Sequence, residues 1–370
     1  MSPTFTDNDG GLDWRKVGYH ARSAFAVLLS LAVLVGGGWF AYSKVHDAWI
    51  SWRTAEDYIG EGKDPVQVLI PMGASVTQIG DILVEHDVIK STRTFREAAA
   101  DNPGSSKLQA GRYNLRTQLP AATALSMLLD PANLVVVKVT LPEGWTLLQQ
   151  WAHITAKLGI SADDLRAALT VDQVKLPDWS NGQFEGFMFP DTYRVAEPVA
   201  ALPLLQDQAK QFTKVAEELD VAGRAADVGL TPFEVITVAS IIEREVSDSE
   251  YRPMVARVIY NRLAKGMKLQ FDSTVHYALG TFDKVTTTAE DRAVQSPYNT
   301  YLNAGLPPGA ISNPGKEAIS AALEPAEGDW LFFVTVNLDT GETLFANTEE
   351  EHLANVAKFQ AWCQANTGRC

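Results

Sequence analysis

The stretch TPFEVITVASIIEREV, residues 231–246, decides how the chain is read. Thr231 suits a helix N-cap, Pro232 suits the first helical position, and Glu234 completes a Thr-x-x-Glu capping box. A helix therefore starts at 232, and Glu234 has a structural role. The rest of the helix is apolar almost without break, yet it carries Glu243 and Glu245. On a helix, Glu243 falls within about 20° of Ile236 and about 40° of Ala239, while Glu245 falls between Val238 and Ile241. Periodicity sets both against apolar neighbours and does not choose between them. One reading is a helix that has reached the surface by 243, with Arg244, Glu245 and Asp248 as a solvated end. The other is a carboxyl kept in apolar surroundings, whose pKa rises because desolvation disfavours the anion, as a general acid requires.

The chain around this helix has 370 residues, 46% of them apolar, and a formal net charge of −14. That length accommodates an anchor and roughly two domains of about 100–200 residues each. The acidity repels phosphate backbones and no basic stripe offsets it, which argues against a nucleic-acid partner. Residues 23–43, SAFAVLLSLAVLVGGGWFAYS, carry no charge between Arg22 and Lys44. At about 1.5 Å per residue such a run spans a hydrocarbon core of roughly 30 Å. Trp39, Tyr42 and Trp49 suit the interface. Arg15, Lys16 and Arg22 precede the run and Lys44 and Arg53 come after it, a slight bias toward a cytoplasmic N-terminus and an exported bulk. A cleaved signal peptide is the alternative, but the run exceeds the usual ~7–15 residues and no small-x-small site comes after it. Residues 1–22 then form a cytoplasmic tail, disordered over 1–13, and 23–43 a single-pass transmembrane helix. Residues 44–65 form an amphipathic linker. Cys363 and Cys370 can close a small disulfide loop in an exported domain, or stay free; without a His cluster they make no zinc site.

From 66 to 133 the pattern is that of a small α/β module. VQVLI is a strand, and SVTQIGDILVEHDVI a helix capped by Ser75, with Ile79, Ile82 and Leu83 in one stripe. TRTFREAAA is a second helix, LQAGRYNL a second strand and TALSMLL a further helix. At 134 the pattern restarts with the strand LVVVKVTL, the turn PEGWT and the helices TLLQQWAHITAKLG and SADDLRAAL. GFMFPDTYRV is broken by Pro190 and reads as a loop. A long helix covers about 203–226. DWLFFVTV and ETLFAN flank NLDTG as a hairpin, and a last helix covers 349–366. The fold class is α+β: an N-terminal transmembrane helix, a small α/β module and a larger α+β domain over 134–370.

Several chemistries find no support. The six histidines are scattered without a His-x-x-x-His pair, so no metal site is expected. GAISNPGK resembles a phosphate loop, but five residues separate its glycines and Glu317 replaces the Ser or Thr that would hold Mg²⁺. There is no dinucleotide fingerprint and no nucleophile elbow, and no cofactor is expected. Carboxylate chemistry remains. A raised carboxyl suits a general acid for glycosidic cleavage, and ordinary glycosidases add a second carboxylate. Asp272, in LQFDSTVHYALG, lies downstream. Tyr298, Asn299 and Tyr301, in SPYNTY, suit hydrogen bonding and stacking on sugar, or equally the packing of a turn.

Six motifs stand in order over about 66–362: LQAGRYNL, TLPEGWTL, EGFMFPDTYRV, ASIIEREV, VIYNRLAKGMKLQFDSTVHYALG and SPYNTYLNAGLPPGAISNPG. In this the chain resembles the YceG-like family of endolytic murein transglycosylases. The resemblance implies a LysM-like module at 66–133 and a catalytic domain at 134–370, outside the cytoplasmic membrane. It implies cleavage of the β-1,4 bond between N-acetylmuramic acid and N-acetylglucosamine within nascent peptidoglycan glycan strands, leaving 1,6-anhydro ends. It places the catalytic role on Glu243, the first glutamate after the ASI run. From the shared motifs it brings Gln270, Asp272, Tyr298, Asn299, Tyr301, Glu185 and Tyr193 to the substrate. The sugar's own C6 hydroxyl is then the nucleophile, one carboxyl acts twice, and neither metal nor cofactor is required. Peptidoglycan synthases are implied partners. Ser273 departs from the pattern, standing where many relatives have Pro, and the acidic tail and cysteine pair lie outside it. Two readings compete. A muramidase would use water, with Asp272 or Glu185 beside Glu243, and product mass distinguishes it. A non-catalytic, membrane-anchored murein-binding scaffold is disfavoured by the retained Glu243.

Overall fold

Helix α1 (Trp14–Arg53) opens the computed structural model, which describes residues 14–53, 56–282 and 286–367. The tail expected to be disordered over 1–13 and Cys370 lie outside these residues; Cys363 is disulfide-bonded. α1 is longer than the expected span because no Pro or Gly occurs between Lys44 and Arg53 to stop it. The first part of the expected linker is therefore helical. Within α1, Phe25–His46 is apolar and long enough to cross a membrane, and none of it is buried, which makes it a candidate membrane anchor.

The chain divides into two compact units, Met1–Val135 and Val136–Cys370. In the first, β1 (Pro65–Ile70) is followed by α2 (Val76–Glu85), α3 (Thr92–Asp101), β2 (Gly111–Arg116) and α4 (Ala121–Leu129). β1 and β2 pair antiparallel, from Pro65 opposite Arg116 to Ile70 opposite Gly111. Period-two alternation turns Val68, Ile70, Tyr113 and Leu115 inward, where they meet Ile79 and Leu83 of α2 and Phe95 of α3. Ser75 and Gln78 form a capping box on α2. Residues 56–64 belong to this module. Pro120 gives α4 no side-chain cap, and Asp57 replaces it by accepting from the Ala121 amide at 3.0 Å. The Tyr58 hydroxyl donates to Asp87 at 2.7 Å.

The second unit contains β3 (Val136–Thr140), α5 (Leu147–Leu158), α6 (Ala162–Ala168), β4 (Thr192–Ala196), α7 (Ala201–Glu218) and α8 (Val221–Arg224). It continues with α9 (Pro232–Glu245), α10 (Arg252–Ala264), α11 (Asp272–Leu279), α12 (Lys316–Leu323), β5 (Phe332–Thr335), β6 (Thr343–Ala346) and α13 (Glu349–Ala365). β3 pairs antiparallel with β4, so the end of GFMFPDTYRV is a strand and not a loop. Pro190 stands ahead of the paired residues, where its missing N–H removes no ladder bond. The helix expected over 203–226 is two, because Asp220 adopts φ +50° and its carboxylate accepts from the Gly223 amide at the start of α8. β5 and β6 form the expected hairpin.

Every residue of α9 from Val235 to Ile242 is buried. It packs on α10, α11 and α12, and its side chains join the largest core of the unit. A helix apolar all round is a central helix, which is why periodicity alone gives its last turn no single inner face.

Candidate active site

The last turn of α9 carries the two glutamates, and neither is a solvated end. Glu243 Oε1 accepts from Arg252 Nη2 at 2.8 Å, and Oε2 accepts from the Gly315 amide at 3.0 Å, just before α12. The two side chains are only 5% and 6% exposed. Arg252 also reaches Glu317 at 3.4 Å and Glu143 at 3.9 Å. Burial raises the Glu243 pKa above its ordinary value; the Gly315 amide and Arg252 offset part of the rise, and the charges of Glu143 and Glu317 add to it. Gly144 brings the PEGW turn against it: φ is +74°, and a Cβ there would lie 3.4 Å from Glu243 Cγ. Both oxygens of Glu243 are thus engaged in joining α9, α10 and α12.

Glu245 faces a different environment. Burial of its carboxyl raises the pKa to about 7. The hydroxyl and amide of Ser273 and the charge of Arg244 oppose the rise, and the charge of Asp272 adds to it. The Ser273 hydroxyl is buried and has no other hydrogen-bond partner of standard geometry among the described residues. Two cavities of about 580 and 430 Å³ adjoin here, and Glu245, Arg244, Thr335 and Leu338 line both. The volumes are those of small-ligand clefts. Arg244 is held over the Phe282 ring at 5.3 Å and donates to the Gly144 carbonyl at 3.2 Å.

Asp272 lies in the larger cavity as the first residue of α11. Tyr301 donates to it at 2.6 Å, Thr287 donates through hydroxyl and amide at 2.5 and 3.1 Å, and Arg292 lies 3.5 Å away. Gln270 lines the same cavity with a left-handed φ of +54°, an uncommon state for a residue with a side chain. Its amide donates to the Thr300 carbonyl, and the Thr300 hydroxyl accepts from the Phe271 amide at 3.0 Å. The structure therefore brings Gln270, Asp272 and Tyr301 together beside Glu245 in the larger cavity, while Glu243, held in its ion-pair cluster, lines only the smaller one.

Four expected site residues lie elsewhere. Tyr193 is 7% exposed in the core, its hydroxyl donating to the Phe189 carbonyl at 2.7 Å. Asn299 is fully buried; its Nδ2 donates to the carbonyls of Arg292 and Val294 and its Oδ1 accepts from the Tyr301 amide, so it shapes the turn that presents Tyr301. Neither is placed to touch a ligand. Tyr298 packs at a tilt against Tyr277 with centroids 4.8 Å apart. The Glu185 carboxyl accepts from the Leu147 amide at 3.1 Å, Asn313 Nδ2 at 3.0 Å and the Tyr277 hydroxyl at 3.5 Å, and burial raises its pKa to about 7.

Asn313 is the residue sequence reasoning missed. Fully buried, it accepts from the Gly186 and Met188 amides at 2.9 and 3.0 Å and donates to the Trp145 carbonyl and Glu185 at 3.0 Å each. Next to it the Ser312 hydroxyl donates to the Ser240 carbonyl, and Ser240 accepts from the Ile311 amide. SNPG thus fastens PEGW, EGFM and α9 into one frame. The signal was the polar Ser-Asn pair within an otherwise apolar GAISNPG. Among the described residues no group of three or more His, Cys, Asp or Glu is arranged to hold a metal ion.

Fold and geometry together place two carboxyls with raised pKa at the end of a central helix, an arrangement suited to acid–base chemistry; both line the smaller cavity, and Glu245 also lines the larger one with its polar and aromatic groups. The YceG-like family model matches residues 68–358, and the chain belongs to the YceG-like family. It is 33% identical over 335 residues to an endolytic murein transglycosylase of Bacillus subtilis, covering 86% of this chain and 89% of the relative. An endolytic murein transglycosylase of Streptococcus pneumoniae is 30% identical over 365 residues, covering 90% of this chain and 64% of that longer protein. The crystal structure of a YceG-like protein of Listeria monocytogenes superposes with a TM-score of 0.51 at 31% identity, over 79% of this chain and 99% of that one.

Proposed function

We propose that this chain is an endolytic murein transglycosylase, and that Glu245 is its acid and base. The observation that carries the assignment is the contrast between the two glutamates. Glu243, favoured by the family resemblance, has both oxygens bound by Arg252 and Gly315 and lines only the smaller cavity. Glu245 opens on both cavities and holds its proton to about pH 7. A protonated carboxyl there donates to the glycosidic oxygen as the C1–O4 bond breaks. The C6 hydroxyl of the same sugar attacks C1, and Glu245, now anionic, takes its proton. The O6–C1 bond closes the 1,6-anhydro ring, Glu245 ends protonated, and no water is consumed. Ser273 and Arg244, both facing the carboxyl, stabilise the anion formed midway.

Asp272 is poorly suited to activate a water in a muramidase, because Tyr301 and Thr287 already donate to its oxygens. With Tyr301 and Gln270 it is read as a wall of the sugar site. The strand–helix–helix–strand order over residues 66–133 supports a LysM-like, glycan-contacting module. The flanking charges favour a cytoplasmic N-terminus with the catalytic unit outside, where peptidoglycan synthases are the partners the family implies. Mass analysis of the products released from purified glycan tests the reading. Anhydro ends from the wild type and none from Glu245→Gln are expected; ends heavier by one water would replace it with hydrolysis.

A further inference from the structure

The larger cavity extends beyond the carboxylates along β5, and four consecutive residues, Phe332 to Thr335, line it. Side chains alternate between the faces of a strand, so a cavity touching all four runs along the strand's edge. Both faces are already covered. Phe332 stacks on His352 of α13 at 5.1 Å, and Phe333 packs on Phe271 of the core at 5.9 Å. One edge pairs with β6. The register assigns the other. Val336 donates to the Glu342 carbonyl, so Phe332 and Val334, at the same parity, turn their backbone groups toward β6. Phe333 and Thr335 turn theirs away, and among the described residues no further strand pairs with β5 on that side. An open edge is a template for another extended chain. This one is about 13 Å long at ~3.3 Å per residue, which suits a short peptide rather than a protein strand. It starts at Thr335, which lines both cavities with Glu245.

We propose that the outer edge of β5 recognises the peptide stem of the glycan strand, by adding a short extended stretch of it to the β5–β6 hairpin. The inference rests on the murein-cleaving reading above. Peptidoglycan carries short peptides on its N-acetylmuramic acid residues, and the sugar held at Glu245 sits where its own stem can reach this edge. The Phe333 and Thr335 amides donate to the stem's carbonyls, and their carbonyls accept from its N–H groups.

The full-length wild-type protein is tested on peptide-bearing glycan and on the same glycan stripped by an amidase. A kcat/KM at least tenfold higher on the peptide-bearing strand is expected. In Thr335→Pro, which removes an outward N–H and no ladder bond, that ratio falls toward one. A direct readout on the wild type is hydrogen exchange: the Phe333 and Thr335 amides exchange several-fold more slowly when free stem pentapeptide is added. Equal cleavage of both glycans, or unchanged exchange at saturating pentapeptide, overturns the edge proposal while the enzymatic reading stands. Cleavage of neither glycan overturns the enzymatic reading itself.

Discussion

Exchanging each glutamate of the α9 terminus for glutamine separates chemistry from architecture. Glu245→Gln removes the transferable proton and keeps the shape. Loss of a positioned acid costs about 10²–10⁴-fold in rate, or about 3–5 kcal/mol of barrier. Stability is held or raised, because an amide avoids the desolvation that lifts the Glu245 pKa to about 7. Glu243→Gln does the reverse. It leaves the buried Arg252 facing only Glu317 at 3.4 Å and Glu143 at 3.9 Å, whose side chains are 67% and 49% exposed. Breaking a buried pair costs about 3–5 kcal/mol; with these two carboxylates still near, about 3 kcal/mol is expected. In a unit of residues 136–370 that is a Tm lower by about 6–12 °C. Activity at a temperature where the variant is folded should fall less than tenfold. The assays are chromatography of released muropeptides with mass detection, and thermal unfolding followed by circular dichroism. A folded, inactive Glu243→Gln beside a Glu245→Gln within tenfold of wild type would refute the assignment.

The same contacts set other outcomes. With the acid at about 7, kcat/KM falls as pH rises through that value, about tenfold per unit at the limit, and a flat profile to pH 9 would contradict it. Glu185 is held protonated to about 7 against an ordinary value of 4.5. Its contribution to stability is full below about pH 4.5 and is lost as pH rises through about 7, so Glu185→Gln should shrink the difference in Tm between pH 5 and pH 8. Asn313→Ala leaves the Gly186 and Met188 amides and the Trp145 carbonyl without this partner. At about 1–3 kcal/mol per group it should lower the denaturation midpoint more than any other single change named here. Tyr193→Phe removes one buried hydrogen bond to Phe189, so a loss of about 1 kcal/mol in urea unfolding with unchanged KM is expected.

The skeleton is legible in the sequence where local chemistry sets it. Thr231, Pro232 and Glu234 announce the start of α9, and the full capping box is present. Asp and Gly in NLDTG announce the β5–β6 turn. Legibility fails where distant segments decide. Pro190 suggests a loop because proline is unwelcome inside a strand, yet it lies just outside the pairing. In the sequence Asn313 reads only as part of a failed phosphate loop, because its four partners gather from residues 145 to 188 once the chain has folded. Tyr193 and Asn299 look like sugar ligands in a string of letters; burial makes one a core residue and the other a turn organiser.

The choice between Glu243 and Glu245 is closed to periodicity for a geometric reason. Residues two apart on a helix point about 200° apart, so the two carboxyls leave α9 on nearly opposite sides. In a helix apolar all round, both sides look alike from sequence. What distinguishes them is what each side meets: Arg252, the start of α12 and the smaller cavity on one, Ser273, Asp272 and the larger cavity on the other. The pairing has a mechanical consequence. Glu243, by tying the last turn of α9 to α10 and α12, fixes the backbone from which Glu245 projects. A carboxyl so mounted keeps its place in the cleft with few hydrogen bonds to lower its pKa. On the proposed assignment, Glu243 is the structural member of Glu-Arg-Glu at 243–245 and Glu245 the reactive one.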